Sequence, residues 1–229
     1  MKQIIVILIG SIFFISCNSE KRNMLVEGKI KGFQKGTVYL EKINDTIWVK
    51  VDSVILDGTN TFTLYDNVRS PQIYNLTIAE SNKRIQFFGE KGKISILSDL
   101  KTFGYHSKIK GSKNQKIMDA FRETNTKFNN LKLDLMKEKF EAVRDKETDK
   151  LKEIEKKIFN IKRRRYLYTA NFAVNHADFE IAPYLALSEI YDANPKILDT
   201  IVKSMSTKVR QSMYGKKLIT YLEDIKKEE

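Results

Sequence analysis

Residues 109–121 read IKGSKNQKIMDAF, and the texture of the chain changes inside this stretch. Upstream, from Leu25 to Gly111, come short segments rich in β-branched and aromatic residues: LVEGKIKG, GTVYLEK, IWVKVDSVIL, TFTLYDNV, QIYNLTIAE, RIQFFGE and GKISILS. The turn signals GFQKG, DGTN, RSP and EKGK separate them. DGTN reads as a hairpin turn because Gly58 and Asn60 tolerate positive φ. Pro71 belongs at a strand start or edge. About seven or eight strands at this spacing predict an antiparallel β-sandwich or partly open barrel over residues 24–111.

Downstream of Gly111 no glycine occurs until Gly215 and no proline until Pro183. Ile117, Phe121, Phe128, Leu131 and Leu135 recur in helical steps, and a second series runs through Leu151, Ile154, Ile158, Ile161, Tyr168 and Phe172. RDKETD, residues 144–149, interrupts the pattern, so residues 113–175 are expected to form a hairpin of two long helices. The alternative is a single helix of about 90 Å at 1.5 Å per residue. FEIAPYLALSEIYD, PKILDTIVKSM and TKVRQSMYGKKLITYLEDIKK then predict shorter helices over 179–227, with Pro195 in a first helical turn. The fold class expected is therefore α+β: a β-rich domain, then a helical region over 112–229.

The N-terminus carries an address. Residues 1–16, MKQIIVILIGSIFFIS, hold Lys2 and then an apolar run of about 12 residues, long enough for a secretory segment and short of the roughly 20 that span a bilayer. Ser16 precedes Cys17, the single cysteine of the chain. The pattern is similar to a bacterial lipobox with Phe14 at its first position. Cleavage between Ser16 and Cys17, with diacylglycerol on the Cys17 thiol, is the expectation; an ordinary signal peptide with a free thiol is the alternative. Residues 17–23 then form a polar tether, and the protein is expected in a bacterial cell envelope, on the outer membrane, held by its lipid.

VEGKIKG, GTVYLEK, VDSVILDGTNTFTLYDNVRSPQIYNL and IKGSKNQKIMDAF follow one another in order. Together they resemble the domain of unknown function, DUF4369-type, that precedes a thioredoxin-like domain in many Bacteroidota lipoproteins. Gly111, Ser112 and Asn114 match the step that leads from its β-rich part into its helical segment, and NFAVNHADFEIAPYLAL is similar to its later helices. The resemblance implies a partnership with thiol oxidoreductase chemistry. That chemistry needs a Cys-x-x-Cys pair, which a chain with one cysteine lacks. No catalytic residue is carried over.

No G-x-G-x-x-G fingerprint, P-loop or G-x-S-x-G elbow occurs. His106 and His176 are isolated; His176 with Asp178 and Glu180 is better read as a loop than as a metal set. Tyr39, Trp48 and Tyr65 belong either to the core or to a ligand-facing side of the sheet. Charge stands above this background. The formal net charge is +12, and residues 108–165 hold 19 basic against 10 acidic side chains. Lys156, Lys157, Arg163 and Arg164 mark either a solvated helical face or a patch for an acidic protein or an anionic membrane. Nucleic acid is not an expected partner, because export removes the chain from it. The expected function is a non-catalytic binding or scaffold module without cofactor or metal. The alternative is an accessory of a separate thioredoxin-like protein.

Overall fold

The computed structural model describes residues 22–44 and 46–228; Ser16 and Cys17, with the anchor expected there, lie outside the described residues. The β region consists of β1 (Met24–Lys31), β2 (Lys35–Asn44), β3 (Ile47–Asp57), β4 (Thr61–Asp66), β5 (Gln72–Ile78), β6 (Arg84–Gly89), β7 (Gly92–Asp99) and β8 (Ser107–Lys110). These form two four-stranded sheets, ordered β4-β1-β7-β8 and β3-β2-β5-β6. The sheets face each other without closing into a barrel. Alternation along the strands sends Val26, Ile30, Leu64, Ile94 and Ile96 of one sheet against Val38, Leu40, Leu76 and Phe87 of the other. Each such side chain contributes roughly 1.5–3 kcal/mol through burial.

Two of the expectations for this region are overturned. The sandwich is not wholly antiparallel: β1 and β7 run parallel over Met24↔Gly92 to Lys31↔Asp99. A parallel neighbour needs a long crossover, and the whole second sheet supplies it. The DGTN turn is not a hairpin either, since β3 and β4 belong to different sheets. Gly58 has φ +74°, whereas Asn60 keeps a negative φ, and the turn is a corner of the sandwich.

The helical region comprises α1 (Lys113–Arg144), α2 (Thr148–Asn175), α3 (Ile181–Glu189), α4 (Pro195–Ser204), α5 (Thr207–Arg210) and α6 (Met213–Glu228). Helices α1 and α2 fold back on each other at Asp145–Glu147, with Lys146 at φ +57°. Their seam is aromatic near the body: Tyr168 lies 5.7 Å from both Phe121 and Phe128 by ring centroids. Farther out, Lys139 Nζ meets Glu155 Oε1 at 2.8 Å. Leu131, expected in the inward series, is 49% exposed. Two helices alone bury a narrow seam, and an apolar series wider than that seam leaves its margin in water. The expected last helix divides at Gln211–Ser212 into α5 and α6, where the Ser212 hydroxyl donates to Val209 O at 2.6 Å. No described helix is long and apolar enough to cross a membrane.

The base of the helix pair is bound to the sandwich. Ile73 and Phe88 leave the outer face of the second sheet to pack with Met118, Phe121, Ile181 and Leu185. Tyr214 of α6 adds a hydrogen bond, its hydroxyl accepting from Ile73 N at 3.2 Å. A separate apolar core joins the end of α2 to α3, α4 and α6 through Ala173, Ala186, Leu198, Ile201 and Leu218.

Candidate binding surface

The distal part of α2 carries the basic residues singled out in the sequence, and all four are exposed. They do not form one line. Lys157 and Arg164 flank a shallow groove of about 450 Å³ between α1 and α2, which Asp134, Glu138, Leu135 and Ile161 also line. Lys157 is paired with Glu153 at 2.8 Å, and the carboxylate raises the ammonium pKa above the usual lysine value. Lys156 and Arg163 point about 100° away around the helix. Neither has an ion-pair partner among the described residues.

Between Lys156 and Arg163 sits Phe159, 66% exposed. It follows Lys156 by three residues and precedes Arg163 by four, the spacing that stacks side chains on one helix face. Lys152 and Leu167 extend the series by one step at each end, and both are exposed. At about 100° per residue the five side chains fall within a band roughly 80° wide. Cations and apolar groups share it. The charge pattern alone did not single out Phe159, although its absence from the inward apolar series and its place between two cations were both readable in the sequence. Around the same arm Leu133, Phe140 and Val143 of α1 are also exposed.

The other sequence candidates lie elsewhere. His176 caps the end of α2, half-buried, its ring stacked 4.2 Å from that of Phe172 and its Nδ1 2.8 Å from Phe172 O. It is part of the packing rather than a solvated loop. Its neighbour Glu180 is buried and engaged by Lys208 at 3.4 Å. His106 is exposed in the segment before β8. Among the described residues no group of three His, Cys, Asp or Glu side chains is arranged to hold a metal ion. Tyr65 stands on the first sheet beneath the Arg22 guanidinium, 5.3 Å from its ring centroid. Tyr39 and Trp48 share the outer face of the second sheet.

The step from β8 into α1 has its own geometry. Gly111 adopts φ +101°, and a Cβ there would lie 2.0 Å from Lys93 O. Ser112 caps α1, its hydroxyl accepting from Gln115 N at 3.0 Å. Asn114 is 2% exposed and joins three elements: its Nδ2 donates to Glu90 Oε2 at 2.9 Å and Glu180 Oε2 at 3.1 Å, while its Oδ1 accepts from Ile181 N at 2.9 Å. Beside it opens a cleft of about 500 Å³, lined by Arg69, Lys91, Lys113, Lys208, Glu90 and Glu180 among others.

Residues 24–118 match the model of DUF4369, a domain of unknown function. The DUF4369 match takes in all eight strands and the Gly111–Ser112–Asn114 step, and it ends inside the first turns of α1. The projecting arm and its basic-apolar stripe lie beyond it. Neither curated proteins nor solved structures yielded a match to this chain.

Proposed function

We propose that the chain is a lipid-anchored module of a bacterial cell envelope. It works by binding rather than by catalysis, and the α2 stripe Lys152–Lys156–Phe159–Arg163–Leu167 receives an acidic, amphipathic segment of a partner protein. The exposed Phe159, set between the cations of Lys156 and Arg163, carries this reading. An aromatic anchor flanked by cations is the composition that concentrates binding energy at protein interfaces. The lipobox-like sequence ending at Cys17 supports the anchor.

Protein is favoured over lipid as the partner by the arm's mixed charge. Residues 129–164 hold 12 basic and 8 acidic side chains. A face that lies on anionic lipid is basic with few acids, because each carboxylate is repelled by the headgroups. A protein surface accommodates both signs.

The test is a photo-crosslinking residue placed at position 159 in intact cells, with position 55, equally open to solvent, as control. A discrete protein adduct from 159 alone is expected. Phe159→Ala is expected to weaken the isolated interaction by about tenfold. Adducts confined to lipid, or the same products from both positions, would remove the reading. A thioredoxin-like protein recovered at 159 would turn it toward an accessory role in thiol chemistry.

A further inference from the structure

The outer face of the β3-β2-β5-β6 sheet is only half covered. Its Ile73 and Phe88 lie under α1 and α3. With a side-chain period of two, Asn75 and Thr77 continue the Ile73 row along β5. Their cross-strand partners on β2 are Glu41 and Tyr39. On β3, Lys50 is opposite Glu41, and Trp48 is two residues farther along the same face. No described helix covers this half. It forms a groove of about 380 Å³ that these six side chains line, within the roughly 300–1,000 Å³ usual for small-molecule sites.

Two buried polar atoms of these lining residues lack a partner among the described residues. Asn75 is 1% exposed, yet its Oδ1 makes no hydrogen bond, and the buried Thr77 hydroxyl oxygen makes none either. Buried polar atoms are satisfied in the great majority of cases, so two neighbouring exceptions on one strand point to an occupant. The walls add an aromatic platform. Tyr39 is held by the Lys50 ammonium 3.8 Å from its ring centroid, and Trp48 stands at the rim, partly exposed.

We propose that this groove binds a saccharide ring. Sugar hydroxyls act as donor and acceptor together, which suits an amide oxygen and a hydroxyl two residues apart on a strand. The C–H face of a pyranose is apolar and flat enough to lie on Tyr39 or Trp48, whose rings combine apolar area with a polar edge. The Glu41 carboxylate accepts from adjacent hydroxyls. The walls do not make a dedicated site for phosphate or another compact anion, because the carboxylates of Glu41 and Glu80 stand among the cations of Lys50, Lys83 and Arg84. This site is separate from the α2 stripe and stands or falls without it.

Trp48 is the only tryptophan in the chain, so intrinsic fluorescence reads the groove directly. The full-length protein in detergent is titrated with chitotriose and with cellotriose up to about 10 mM, a range that captures weak single-site binding. A saturable change in emission with either sugar is expected. Thr77→Val and Tyr39→Ala are expected to weaken that response at least tenfold, while Leu133→Ala, exposed on α1 and outside both surfaces, leaves it unchanged. Tyr39 is only half-buried, so its substitution decides the matter even if a change at Thr77 disturbs the sheet. Flat emission with both sugars, together with no saturation-transfer NMR signal from either, overturns the proposal. So does an unaltered titration in Tyr39→Ala.

Discussion

Asn114→Ala is the most informative single change in this molecule. The side chain makes three hydrogen bonds at the meeting of the sandwich, α1 and α3, and truncation leaves Ile181 N without its acceptor. A buried donor stranded in this way costs about 1–3 kcal/mol. The two bonds to carboxylates add about 1.5–3 kcal/mol apiece where no replacement is found. Glu90 keeps the backbone N–H of Lys113 at 2.6 Å, and Glu180 keeps Lys208, so part of that loss is recovered. A net loss of roughly 3–5 kcal/mol remains, a large share of the roughly 5–15 kcal/mol that holds a typical fold. At about 2–4 °C per kcal/mol for a chain of this size, the melting temperature falls by roughly 6–20 °C. Differential scanning calorimetry reads both the shift and whether the sandwich and the helices still melt together. Asn114→Asp is expected to be worse than Ala, because it removes both Nδ2 donors and sets a third carboxylate beside Glu90 and Glu180. A loss below about 1 kcal/mol for Asn114→Ala would refute the reasoning, because it would mean that water replaces the amide without penalty.

Three further outcomes follow from other parts of the structure. Gly111→Ala is expected to destabilise by roughly 3 kcal/mol or more in urea titrations, since the added Cβ meets Lys93 O at 2.0 Å at a φ that side chains avoid. Burial raises the phenol pKa values of Tyr74, Tyr184 and Tyr214 above the ordinary 10.0, with Asp66 adding to the effect at Tyr74. The fold therefore favours the neutral phenols; their contribution is complete below pH 10 and is lost as pH rises beyond it, by about 1.4 kcal/mol per pH unit for each. Tyrosinate absorbance and loss of ellipticity should then rise together above pH 10. Cys17→Ala is expected to abolish incorporation of a fatty-acid analogue and leave the precursor unprocessed, and equal labelling of both forms would end the lipoprotein reading.

The change of texture at Gly111 was legible because it depends on local chemistry. Turn residues punctuate the strands, and the loss of Gly and Pro together with a helical apolar period marks α1 and α2. The RDKETD break falls where α1 gives way to α2 for the same reason. Which strands share a sheet was not legible. The parallel β1–β7 pair joins residues about seventy positions apart, and alternation along a strand carries no sign of its direction. Nothing near Asn114 or Glu180 in sequence reveals that they bury each other. Phe159 escaped for a related reason, and Trp48 could only be left between core and an open face of the sheet. An isolated aromatic side chain is core in most contexts, and only the absence of a covering element leaves these two in the open.

The position of β1 has a mechanical consequence. It is the first described strand, and it lies inside its sheet, bonded to β4 over Met24–Lys29 and to β7 over Met24–Lys31. A pull applied through the residues before Met24 acts along the strand and loads both ladders in shear, so their hydrogen bonds resist as a set. An edge strand pulled sideways would instead open one bond at a time. A chain held by its N-terminus while a partner tugs on the arm would therefore take the strain on a strand clasped from both sides.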